Sequence, residues 1–70
     1  MKTALYPGSF DPITLGHLNI IERAVDMFDT LVVLLAVNPG KESLFGVEEN
    51  MEMIRETTSA WPQVTVDQTE

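Results

Sequence analysis

With 70 residues, 44% of them hydrophobic and 21% charged, the chain has room for one small domain and the composition of a soluble globular protein, not of a disordered or membrane-embedded one. Eleven Asp/Glu against four Lys/Arg give a net charge of -7, which excludes a basic surface for nucleic acid or anionic lipid. The lack of cysteine excludes disulfides, thiolate metal sites and cysteine nucleophiles, and the single histidine excludes the two-histidine zinc motifs.

The first predicted element is a short strand, residues 3–6 (TALY), closed by Pro7 and Gly8. In the loop that follows, Pro12 fixes its own φ and biases Asp11 away from the α region, so no helix can begin before about Thr14. Asp11 itself is expected to accept hydrogen bonds from nearby amides, not to hold a metal. Leu18, Ile21, Val25 and Phe28 then recur at the spacing of one helical face, with Gly16 and His17 at the helix start. Unpaired N–H groups and the positive end of the macrodipole favour an anion there. Gly16, lacking Cβ, lets a ligand approach the backbone, and His17 adds a donor beside it, with a positive charge if protonated. With so few cations in the chain, phosphate binding would have to be local, through backbone amides, His17 and a divalent metal.

Residues 31–37 (LVVLLAV) are apolar throughout and rich in β-branched side chains, the pattern of a strand covered on both faces. Asn38, Pro39 and Gly40 turn the chain at the carboxyl end of that strand, which is where open parallel sheets bind ligands, and bring Lys41 to the same rim as the first loop. Gly46 reads as the N-cap of a second helix, with Glu48 and Glu49 in its first turn. Its buried face is predicted as Val47, Met51, Ile54 and Thr58, with Met53 on the surface, Trp61 over its end and Pro62 as its stop. Residues 63–67 (QVTVD) alternate polar and apolar, a third strand shorter or more exposed than the second. The order is βαβαβ with parallel strands and right-handed crossovers, the first half of a Rossmann-like doubly wound sheet. The 70 residues are accordingly expected to be the amino-terminal portion of a single domain, incomplete at its C-terminal end. No apolar run is long enough to span a bilayer and no signal peptide is visible, so a cytoplasmic location is expected.

The stretch Gly8-Ser-Phe-Asp-Pro-Ile-Thr-Leu-Gly-His17 resembles the signature of the nucleotidyltransferases that share a T/H-x-G-H motif. Within them the phosphopantetheine adenylyltransferase family is the best match. Tyr6-Pro-Gly-Ser-Phe-Asp-Pro-Ile-Thr fits its opening, Thr14 stands where nicotinamide-mononucleotide and cytidylyl relatives usually have histidine, and Val37-Asn-Pro-Gly-Lys41 with Phe45 and Glu48-Glu49 fits its second-strand loop. The resemblance implies transfer of an adenylyl group from ATP to 4'-phosphopantetheine with Mg2+, giving dephospho-coenzyme A and pyrophosphate, in a homo-oligomer that is typically a homohexamer. It implies Ser9 as a ligand of the pantetheine and ATP phosphates, a backbone N–H of Phe10 on ATP, and Gly16 and His17 at the ATP phosphates. It further implies that His17 stabilises charge on the α-phosphate and that Lys41 holds the attacking phosphate. The family commonly has Glu-Arg where this chain has Glu49-Asn50, and its later arginine-bearing and Ser-rich ATP-gripping segments have no counterpart in these residues. Two alternatives stay open: another nucleotidyltransferase of the same motif, acting on nicotinamide mononucleotide or a cytidylyl acceptor, and an inactive nucleotide-binding or structural fragment.

Overall fold

The computed structural model describes residues 1–37 and 45–69. Within them the elements run β1 (Thr3–Gly8), α1 (Leu15–Val25), β2 (Thr30–Ala36), α2 (Val47–Thr57) and β3 (Val64–Thr69). The three strands form one parallel sheet in the order β1-β2-β3, the Rossmann-like βαβαβ arrangement the sequence predicts. Both predicted helices are present, although α1 ends at Val25, short of Phe28. There the chain turns back, with the Met27 and Phe28 amides donating to Ala24 O. Asp29 and Thr30 then donate their amides to Lys2 O, and Lys2 N–H donates to the Asp29 carboxylate at 2.7 Å, which aligns the starts of β1 and β2.

β1 does not stop before Pro7 as expected; it continues through Pro7 and Gly8, which pair with Leu34 and Leu35 of β2. A proline fits because β1 is an edge of this sheet, where a missing N–H leaves no central ladder broken. Gly8 fits for another reason. A Cβ built there would stand 3.0 Å from Cε2 of the Phe10 ring, so any side chain at that position would force the ring to shift.

Ile21 of α1, Met51 and Ile54 of α2, Leu31, Val33 and Leu35 of β2 and Phe10 form a single buried cluster, with Ala4, Tyr6, Val64 and Val66 packed against it. Register places Ala4, Leu31 and Val64 side by side, and likewise Tyr6, Val33 and Val66, so both helices lie on one face of the sheet. This corrects the expectation that β2 is covered on both faces. On the opposite face Val32 and Leu34 are only half-buried and Leu5 is 64% exposed. The apolar run at residues 31–37 does encode two-sided burial, but the elements described here supply only one cover.

Thr57 and Thr58, not Pro62, end α2. The Thr58 hydroxyl donates to Ile54 O at 2.7 Å, beside the Thr58 amide, and the Thr57 hydroxyl to Met53 O at 2.8 Å, so both side chains fold back on the last turn of the helix. Trp61, half-buried against the core, follows that end as predicted. β3 is one residue shorter than β2 and more exposed, also as predicted.

Candidate anion site at the β1–α1 turn

Phe10 has a left-handed φ of 39°. For a residue with a bulky side chain this conformation costs of order 1–3 kcal/mol and persists only where the surroundings hold it. They do so through the ring, which is 1% exposed and packs edge-on against Tyr6 at 5.2 Å and against His17 at 4.8 Å between centroids. The reversal at Phe10 leaves the preceding Ser9 exposed at the carboxyl end of β1.

Thr14 is the N-cap of α1, in extended conformation, and its hydroxyl accepts from the His17 amide at 3.4 Å. His17 returns the bond: its Nδ1 accepts the Thr14 amide N–H at 2.9 Å. This is a capping box in which histidine takes the place usually held by Glu or Gln. A backbone N–H can only donate, so Nδ1 carries no hydrogen in this arrangement and the ring hydrogen sits on Nε2. In this arrangement His17 offers its Nε2–H as the ring's hydrogen-bond donor.

With the His17 amide taken by Thr14 and the Leu18 amide by Thr14 O, the first turn keeps the N–H groups of Leu15 and Gly16, both on exposed residues. No acidic residue lies in that turn to compete for an anion. At Gly16 an added Cβ would meet only the Thr14 hydroxyl, at an ordinary 3.6 Å, so the packing of the chain does not demand glycine there. An approaching ligand would give such a reason.

Of the residues singled out from sequence, Ser9, Phe10, Gly16 and His17 belong to this one turn. Lys41, with the turn from Asn38 to Gly40 that was to present it, lies outside the described residues. Asp11 accepts hydrogen bonds as expected, but from far along the chain: the Phe45 amide and Asn50 Nδ2, each at 3.0 Å from Oδ1. Three residues escaped the sequence reading as parts of the site. The Thr14-x-x-His17 spacing was legible as a capping box, whereas the ring support of Tyr6 and the burial of Asn50 in an otherwise apolar helix face carry no local signal. A shallow hollow lined by Arg55, Trp61, Val64 and neighbours lies at the amino end of β3, the opposite end of the sheet from the turn. Among the described residues no three His, Asp or Glu side chains cluster to hold a metal, and no helix is long and apolar enough to cross a membrane.

A parallel βαβαβ sheet with a tight turn at the carboxyl end of its first strand, leading into a helix capped by histidine, makes a Rossmann-like α/β unit whose candidate site lies where open parallel sheets bind ligands. Residues 5–70 match the family model described as cytidylyltransferase-like, and the chain belongs to that family. More particularly, it is similar to proteins named phosphopantetheine adenylyltransferase. That of Carboxydothermus hydrogenoformans is 55% identical over 67 residues, which is 96% of this chain and 41% of the relative. That of Symbiobacterium thermophilum is 59% identical over 66 residues, 94% of this chain and 41% of the relative. That of Clostridium botulinum strain Hall is 58% identical over 66 residues, 94% and 40%. The chain thus spans about two fifths of the length of these relatives.

Proposed function

We propose that the full-length protein transfers an adenylyl group from ATP to 4'-phosphopantetheine, and that these 70 residues form the amino-terminal part of its single nucleotidyltransferase domain. The observation that carries the reading is the Thr14–His17 capping box, which engages His17 Nδ1 and leaves Nε2–H as the ring donor at the start of α1. Support also comes from relatives of that name, about half or more identical over nearly all of the chain. The half-covered outer face of β1 and β2 is consistent with further chain packing on the sheet.

In this mechanism a phosphate oxygen of 4'-phosphopantetheine attacks the α-phosphorus of ATP. The new P–O bond forms as the bond to the α,β-bridging oxygen breaks, pyrophosphate leaves with that electron pair, and dephospho-coenzyme A remains. The nucleophile is already an anion, so catalysis is positioning and charge stabilisation. Ser9 and the Phe10 amide would bind phosphate oxygens at the end of β1, and the first-turn amides of α1 would hold the chain of phosphates. His17 Nε2–H would donate to the α-phosphate, whose equatorial oxygens gain charge in the transition state. Lys41 is assigned the attacking phosphate. Magnesium would enter with ATP and offset phosphate charge.

The protein is further expected to be cytoplasmic and a homo-oligomer, which sedimentation of the full-length protein checks. The functional test is product identification: full-length protein incubated with magnesium, ATP and 4'-phosphopantetheine should release pyrophosphate and form dephospho-coenzyme A. Transfer to nicotinamide mononucleotide instead, or use of CTP with a cytidylyl acceptor, would replace this reading. No transfer to any acceptor would leave a binding or structural role.

A further inference from the structure

Asn50, in the first half of α2, is 3% exposed and lies among apolar residues, beside Met51 and one turn from Ile54. Its Nδ2 donates to Asp11 Oδ1 at 3.0 Å and to Phe45 O at 3.5 Å, while the Phe45 amide donates to the same Asp11 oxygen at 3.0 Å. Its own Oδ1 is buried with no hydrogen-bond partner among the described residues. A buried, unpaired carbonyl weakens a fold, and a leucine of similar size would remove that defect. That cost and the bond from Nδ2 to the Asp11 carboxylate are of similar size and roughly offset each other, so stability alone does not select asparagine here. What it supplies is a donor directed at a carboxylate 39 residues earlier in the chain.

That carboxylate belongs to the residue directly after Phe10, whose left-handed φ is the strained point of the turn. We propose that Asn50 is a positioning residue for the anion site: by holding Asp11 it fixes the turn against α2, so that the Phe10 amide, the first-turn amides and His17 face one phosphate position. Asn50 acts through Asp11 and does not touch the ligand. Its kinetic consequence rests on the adenylyltransferase reading; its geometric consequence does not.

The test compares full-length wild type with Asn50→Leu in three measurements: thermal unfolding, steady-state adenylyl transfer, and the 1H–15N shift of the Gly16 amide. Gly16 lies on α1 and Asn50 on α2, so the Gly16 amide reports on the turn and not on the packing of α2 itself. The expected result is an unfolding temperature close to wild type, a kcat lowered roughly ten- to hundredfold, the worth of a hydrogen bond to a charged group, and a displaced Gly16 amide. An unmoved Gly16 amide, or a lower unfolding temperature with wild-type turnover, overturns the proposal. Should Asn50→Leu fail to fold, Asp11→Asn, which removes the charge and keeps the acceptor oxygen, is expected to shift Gly16 in the same direction by less; no shift overturns it. If wild type transfers no adenylyl group, the functional reading fails by itself, and the Gly16 amide still decides the positioning role.

Discussion

Gly8→Ala probes how the turn is held. The added Cβ would lie 3.0 Å from Phe10 Cε2, 3.1 Å from Cζ and 3.5 Å from Cδ2, the first two well inside van der Waals contact. The ring cannot simply retreat, because it is 1% exposed and wedged between Tyr6 and His17. Gly8 has no positive φ, so backbone strain adds nothing and the penalty comes from overpacking alone. Overpacking a filled core costs about 1–3 kcal/mol. The loss of unfolded-state freedom on replacing glycine offsets about 0.4–1 kcal/mol of that, leaving a net loss of roughly 0–2.6 kcal/mol, centred near about 1.3 kcal/mol. Urea unfolding of the full-length variant should show a lower midpoint at unchanged m-value. In a Phe10→Leu background, where the ring is gone, the alanine penalty should shrink by more than about 0.5 kcal/mol, the signature of two sites in contact. Stability at or above wild type, or an equal penalty in both backgrounds, would refute the reasoning.

Other outcomes follow from the same geometry. If His17 acts as proposed, through an Nε2–H on charge that develops in the transition state, His17→Ala should lower kcat by about 10²–10³-fold while changing the Kd for ATP far less; single-turnover kinetics and calorimetry separate the two. Thr14→Val removes the hydroxyl that caps the His17 amide and should cost about 1 kcal/mol in urea unfolding, without moving the ring hydrogen, since the Thr14 amide still donates to Nδ1. Ile54→Ala empties a fully buried position shared by α2 and the sheet and should cost about 2–5 kcal/mol in the same assay. Leu5→Lys, on the open face, should be nearly neutral if that face meets solvent and should cost more than about 1 kcal/mol if further chain covers it.

The elements were legible wherever periodicity was strong: the spacing of Ile21 and Val25, and of Met51 and Ile54, specified both helices, and the apolar run specified β2. Boundaries were less so, because tertiary partners set them. β1 extends through Pro7 and Gly8 since β2 offers a ladder on one side only, and α1 stops before Phe28 because Lys2 O captures the following amides. Two-sided burial of β2 was read from its sequence, yet Val32 and Leu34 remain half-buried. The sequence pattern records the cover a strand requires and does not identify which segment provides it. In the site, Gly16 and His17 at a helix start followed from the proline-containing loop and the resemblance. The left-handed Phe10 did not, since nothing local marks an aromatic residue for that conformation; burial between Tyr6 and His17 imposes it. Asn50 was equally hidden, being defined by a contact across 39 residues.

Whether His17 presents an Nε2–H donor to a phosphate at the β1–α1 turn is decided by ring 15N NMR of the full-length protein, with His17→Gln assigning the signals. The free protein should show a hydrogen-bearing Nε2 and an acceptor Nδ1, and addition of magnesium and ATP should shift the Nε2 resonance. A hydrogen on Nδ1, or an Nε2 resonance unmoved at saturating ATP, would contradict that role.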